Sequence, residues 1–186
     1  FKDEYNKLKG DFSYLNLISG LTDLSHLKLN FSLWDLSRSI RSNPEALEFW
    51  QSATVEELKQ AWAGENPDHI MPTVREVIEE FKFHSTHELD ITVPRFGEEP
   101  SFILKSIQAN VGLDDSLDPR ALNKKQNVAY HKESEKLLSA VPFYSRSSFA
   151  AKLQRMRNFL WWREELRDYS TQFYHQVRRF TLALIP

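Results

Sequence analysis

Apolar residues recur along most of this chain at steps of three and four, the period of a helix with one buried face. Phe1, Tyr5, Leu8, Phe12 and Leu15 already follow that spacing, so a helix is in progress where the sequence starts, as expected of a piece of a longer protein. Gly20 marks its stop, and Leu24, Leu27, Phe31, Trp34, Leu36 and Ile40 predict a second helix ending near Arg41. Asn43 followed by Pro44 opens a short third. Thr54 and Glu57 form a capping-box pattern, in which each side chain can serve the other's amide, at the head of a fourth helix reaching about Ala63. The stretch from Gly64 to Pro72 is rich in turn formers. Pro72, suited to a first helical turn, leads Val74, Val77, Ile78 and Phe81 into a helix that fades near His84.

From His87 to Pro100 the period breaks. Leu89 to Phe96 mixes β-branched residues with a proline and runs into Gly97, which predicts an extended connector, with a lone strand as the alternative. Pro100 then opens a helix to about Val111, and Asp118 with Pro119 is a cap-plus-first-turn signal for one running to Ala140. Ser147 or Ser148 starts a last helix to about Ile185, roughly 37 residues and so about 55 Å long. The pattern predicts an all-α fold: a single domain of about seven helices, one extended connector near residues 88–97, and a long C-terminal helix as its spine.

Within that last helix, Phe159, Trp162, Leu166, Tyr169, Phe173, Val177 and Phe180 form one apolar stripe, predicted to be core. Glu164, Asp168, Gln172, His175 and Arg179 fall on the opposite side, predicted to be solvated. Arg163, Arg167, Thr171, Tyr174 and Arg178 lie at the border between the two. A border arginine has two uses. It can lay its stem over apolar surface and pair with a nearby acid such as Asp168 or Glu164, or it can join another guanidinium in a fork aimed at a phosphate or carboxylate.

Composition narrows the chemistry. The 186 residues carry a formal charge of −2, which gives no general attraction to nucleic acid or to an anionic membrane. Absence of cysteine excludes disulfides, thiol nucleophiles and cysteine metal sites, and favours a cytoplasmic setting. No apolar run is long enough to span a bilayer, and no secretory signal pattern opens the sequence. His84, His87 and Glu88 sit close together without a metal-ligand spacing, so no metal site is predicted there. Glu88 and Asp90, two apart in an extended segment, are better placed for hydrogen bonding or for pairing with Arg95 than for acid–base work. Lys124 with Lys125, and Arg155 with Arg157, read as solvated faces. Ser145, Ser147 and Ser148 make no nucleophile pattern, and no residue of this chain is assigned a catalytic role.

Two separated motifs carry a family resemblance. Glu88-Leu89-Asp90-Ile91-Thr92, followed by Arg95-Phe96-Gly97-Glu98-Glu99-Pro100, resembles the Gly-Glu-Ile/Leu-Asp-Ile and Arg-Trp-x-Glu-x-Pro stretch in the middle domain of rifampicin phosphotransferases and related phosphoenolpyruvate-synthase-like enzymes. Downstream, Arg157-Asn158-Phe159-Leu160-Trp161-Trp162-Arg163-Glu164-Glu165-Leu166-Arg167 resembles that family's Arg-Asn-Phe-Ile-x-Tyr-Arg-Glu-x-x-Lys segment. A weaker likeness covers Asn30 to Pro44.

The resemblance implies the helical, acceptor-binding domain of a larger ATP-dependent phosphotransferase. In such enzymes an ATP-grasp domain uses ATP and magnesium to phosphorylate a histidine on a swivelling domain, which carries the phosphoryl group to a small-molecule acceptor. On that carry-over Arg163 keeps the family's arginine and Arg167 stands where a lysine is usual. The two would clamp the phosphoryl group or an anionic acceptor, with Trp34, Trp162 and Tyr174 as pocket walls and Glu88, Asp90 and Arg95 as structural motif. The cofactor is expected to bind elsewhere in the parent protein, so the chain alone is expected to be inactive. His87, His84 and Lys82 depart from the family's glycine, arginine and glycine, so the antibiotic is not carried over as acceptor. A non-catalytic helical binding or interaction module, and the substrate domain of a related ATP-dependent ligase, are the alternative readings.

Overall fold

The computed structural model describes residues 2–8, 10–64 and 69–184. Phe1, most of the turn-rich stretch at 65–68 and Ile185 lie outside the described residues. Among those residues the order is α1 (Lys2–Tyr5), α2 (Tyr14–Ile18), α3 (Ser25–Ser42), α4 (Pro44–Ser52), α5 (Val55–Ala63), α6 (Met71–Glu80), α7 (Ser101–Val111), α8 (Pro119–Ala140) and α9 (Arg146–Leu184). Short 3-10 turns occupy Asp115–Leu117 and Phe143–Ser145. The fold is all-α, and no described residue is in a strand. No described helix is long and apolar enough to cross a membrane.

Most predicted helix boundaries are set by the residues named for them. Asn43 accepts from the Ala46 amide, and Asp118 from the Arg120 amide. Thr54 and Glu57 close their capping box from both sides. The first predicted helix is the exception. It is two short pieces, because the chain turns after Tyr5 and passes through Gly10 at a φ of 150° before Ser13 caps α2.

The chain divides into two compact units. The first comprises residues 1–24 and 118–166, and the second residues 25–117 and 167–186. In the first, Leu17 of α2, Leu137 and Val141 at the end of α8, and Phe149 and Leu153 of α9 form the core. Gly20 follows α2 at a φ of 64°, and a Cβ there would lie 2.5 Å from the Asn127 backbone nitrogen of α8, so only glycine fits. Arg157, predicted to be solvated, is instead buried. Its guanidinium donates to the carbonyls of Leu17, Ser19 and Gly20 and lies 3.5 Å from the Tyr130 ring centre. It thus satisfies the exposed carbonyl end of α2, a C-cap made by a distant side chain.

In the second unit, α3 packs against α7, and α4, α5 and α6 complete one core. Leu36 and Ile40, Trp50, Leu58, Val74 and Ile78, and Ile103 and Ile107 are buried there. Each buries apolar surface worth about 1.5–3 kcal/mol. Polar side chains again finish helix ends. Gln108 donates to the Trp50 and Ala53 carbonyls at the end of α4, Arg75 to the Ala61 and Trp62 carbonyls of α5, and Arg38 to the Asn110 carbonyl of α7 and the Leu113 carbonyl just beyond it.

The last helix reverses its predicted orientation. Phe159, Trp162, Leu166, Tyr169, Phe173 and Phe180, predicted as core, are between 55% and 70% exposed. Asp168 and His175, predicted as solvated, are turned inward, as are Thr171 and Arg178 from the predicted border. The inward positions 168, 171, 175 and 178 keep helical spacing, but the face they make is polar.

Candidate functional site

Arg163, in the first unit, has a 64% exposed side chain whose Nε and Nη2 donate to its neighbour Glu164. Arg167, in the second, is 68% exposed and donates through Nε to Glu88 Oε2 at 3.1 Å. Trp162 is exposed and meets Trp161 edge-on, while Tyr174 is half-buried and meets Phe173 edge-on. Trp34 is no wall available to a ligand: it is buried, with the Arg38 guanidinium 4.1 Å from its ring centre. Of these residues, Arg163, Arg167 and Trp162 are exposed, Tyr174 is half-buried and Trp34 is buried.

The polar face of α9 has its explanation in the segment after α6. That helix ends at Glu80, earlier than predicted, and the predicted extended connector is instead a closed series of turns. Its ends are stapled by Phe96 N–H to His84 C=O at 2.8 Å and Gly97 N–H to Lys82 C=O at 3.2 Å. A Cβ on Gly97 would lie 2.7 Å from Lys82 Cβ, so this crossing also depends on glycine. Asp90 closes a turn by accepting from the Thr92 amide and hydroxyl. The Asp90 carboxyl is held below its ordinary range by those Thr92 bonds. Such a segment offers few apolar side chains and many polar groups, which must be paired where they are buried.

Three layers of pairing result. Arg95 is fully buried and donates through Nη1 to Ser85 Oγ at 2.7 Å and to the Glu88 carbonyl at 2.9 Å. It therefore takes the backbone of Glu88, not the carboxylates of Glu88 and Asp90 expected from sequence. Arg178 of α9 donates to both oxygens of Glu98 and to the Ile91 carbonyl. Burial opposes ionisation of Glu98, but Arg178 and the Arg95 amide more than offset it, and its carboxyl titrates below the ordinary range. His175, buried one turn from Arg178, has its pKa pushed down by desolvation and then by Arg179, with Arg95 and Lys82 adding to the effect.

The outermost layer reaches Arg167. His84 Nδ1 lies 3.0 Å from Glu88 Oε1, and His84 Nε2 lies 3.1 Å from Asp168 Oδ1, a close contact without hydrogen-bond alignment. Asp168 Oδ2 accepts from Gln172. Glu88 thus divides its oxygens between buried His84 and exposed Arg167. Among the described residues no group of three or more His, Asp or Glu side chains is arranged to hold a metal ion. Ser85, the hydroxyl inside the cluster, is committed to Arg95 and to the His87 amide. The exposed edge of this arrangement is the Arg167 guanidinium, held through Nε by Glu88.

Sequence reasoning missed His84, Glu98, Asp168, His175 and Arg178 as parts of one cluster. Positions 168, 171, 175 and 178 keep helical spacing in the sequence, but nothing local marks that face as the buried one.

Fold and site define an all-α domain with an arginine-edged polar cluster and no nucleophile assigned within it. Residues 2–164 match the family model of the rifampicin phosphotransferase fourth domain, and the chain belongs to that family. The match includes Glu88, Asp90, Arg95, Trp162 and Arg163, whereas Arg167, Asp168, Tyr174, His175 and Arg178 follow it in sequence. Among curated proteins, none matches the chain.

Proposed function

We propose that this domain binds the acceptor of an ATP-dependent, phosphohistidine-mediated phosphotransferase, with Arg163 of the first unit and Arg167 of the second as residues that serve its anionic group or the phosphoryl group in transit. The observation that carries this reading is the division of charge on α9. In the first unit Glu165 is turned inward and Glu164 is largely covered while Arg163 and Trp162 are exposed, and in the second Asp168 is turned inward while Arg167 and Tyr169 are exposed. Cations in that setting suit a transferring phosphoryl group, which places charge on its peripheral oxygens, and exposed rings suit an aromatic or apolar acceptor body.

ATP and magnesium belong, in this reading, to a separate nucleotide-binding domain of a cytoplasmic parent protein, and a phosphohistidine domain delivers the group. This chain's own residues bind and orient. The test is calorimetric titration of the 186-residue chain with phenyl phosphate, which joins a ring to a phosphate. Arg163→Ala and Arg167→Ala should each weaken binding about tenfold, the loss of one charge-assisted contact. Wild-type affinity in both variants would defeat the assignment, and binding governed by the aromatic residues alone would favour the non-catalytic interaction module.

A further inference from the structure

We propose that Asp168, His84 and Glu88 form a positioning chain that holds Arg167 by its Nε edge and presents its two terminal nitrogens to a phosphate or carboxylate. The inference rests on the reading of Arg167 as an anion-binding residue, and it names what makes that residue competent.

An exposed arginine on a helix ordinarily samples many rotamers, and a ligand that must order so long a side chain binds more weakly for it. Arg167 is restrained beforehand. Its Nε–H is engaged by Glu88 Oε2 at 3.1 Å, whereas among the described residues its terminal nitrogens make no hydrogen bond. A guanidinium has two usable edges, and with the Nε side occupied the Nη1/Nη2 fork is left for a bidentate contact with an oxyanion.

The carboxylate doing the holding is itself held. Glu88 Oε1 meets His84 Nδ1, and the other nitrogen of that buried ring faces Asp168 Oδ1 on the same helix as Arg167. The residue after Arg167 therefore abuts His84, whose other nitrogen meets Glu88, the carboxylate that holds Arg167. His84 is fixed in turn by its backbone: its amide donates to Phe81 and its carbonyl accepts from Phe96. The Phe83 ring lies 4.5 Å from the imidazole, centre to centre. A buried histidine between two carboxylates, one on a turn and one on a helix, is a costly arrangement for packing alone, since apolar residues would fill the space without desolvating charge. Its geometric product is a fixed guanidinium.

Glu88 could act in the opposite sense, as a competitor that neutralises Arg167. The two roles differ in sign. The experiment uses the 15N-labelled 186-residue chain titrated with inorganic phosphate, reading the Arg167 Nε–H resonance and the phosphate affinity together. In the wild type that resonance should be shifted from those of free exposed arginines and should exchange slowly with water. Glu88→Ala should lose this signature and weaken phosphate binding roughly five- to tenfold. Glu88→Gln, whose amide oxygen can still accept from Nε, should restore the signature in part. His84→Gln should act in the same direction as Glu88→Ala. Because His84 is buried and its variant can fail to fold, Glu88→Ala decides the matter from the cluster's rim. If Arg167→Ala loses phosphate binding while Glu88→Ala keeps it or tightens it, the positioning role is overturned and the anion site survives. If Arg167→Ala binds phosphate as the wild type does, the anion site fails and the positioning role with it.

Discussion

Arg157 shows how much one buried charge can be asked to do. Its guanidinium is desolvated, which pushes its pKa down, and it is compensated by three carbonyls and by the face of Tyr130. Replacing it with Met keeps the stem's bulk but leaves the Leu17, Ser19 and Gly20 carbonyls without that donor. Each buried orphan costs about 1–3 kcal/mol, so Arg157→Met should destabilise the first unit by at least about 3 kcal/mol in urea unfolding, whereas Arg155→Met should change little. Nothing in the sequence separates these two arginines. They flank one residue on the same helix, and which of them meets α2 is decided by packing some 140 positions away in sequence. Caps such as Asn43, Thr54 and Asp118 were legible because the groups they serve lie two or three residues on.

At the scale of elements, helix extents were largely readable and the orientation of α9 was not. The predicted end of α8 at Ala140 and the span of α3 follow from local caps and periodicity. A helix whose two faces are both coherent, one aromatic and one charged, has no local signal for which is buried. The choice is settled by the turns at residues 84–98, whose carbonyls and carboxylates need donors that Arg178 supplies and Phe173 cannot. A direct consequence concerns Phe173, now an exposed ring. Phe173→Ala should shift stability by no more than about 0.5 kcal/mol in thermal unfolding, as at an ordinary surface position. A core phenylalanine would cost about 3–5 kcal/mol.

The same face makes the second unit sensitive to acid. His175 and Glu98 both have folded pKa values below their ordinary values of 6.5 and 4.5, so the unfolded chain takes up protons first as pH falls. Stability is fully present above pH 6.5. It declines as pH falls through the lowered His175 value, and again below 4.5 as Glu98 is protonated and releases Arg178. The urea midpoint should fall between pH 7 and 5.5 in the wild type and more shallowly in His175→Gln. A midpoint that rises over that interval would contradict the inward placement of His175.

For the molecule as a whole, the chain belongs to the rifampicin phosphotransferase fourth-domain family, and under the proposed function the exposed edge of the polar cluster receives an anion. The motifs at Glu88 to Pro100 and at Arg157 to Arg167 were visible in sequence, and so was the arginine pair. Hidden from it was the reason they belong together: Glu88 of the first motif holds Arg167 of the second. That contact joins residues 79 positions apart, beyond any local spacing rule. The most direct test of the anion-site claim is to crystallise the chain with tungstate, a heavy tetrahedral oxyanion, and to locate the tungsten by its anomalous signal. The account predicts an oxyanion bridged by the terminal nitrogens of Arg167, absent from crystals of Arg167→Ala. Tungstate bound only at the lysine-rich stretch of α8 or at the start of α9, unchanged in that variant, would contradict it.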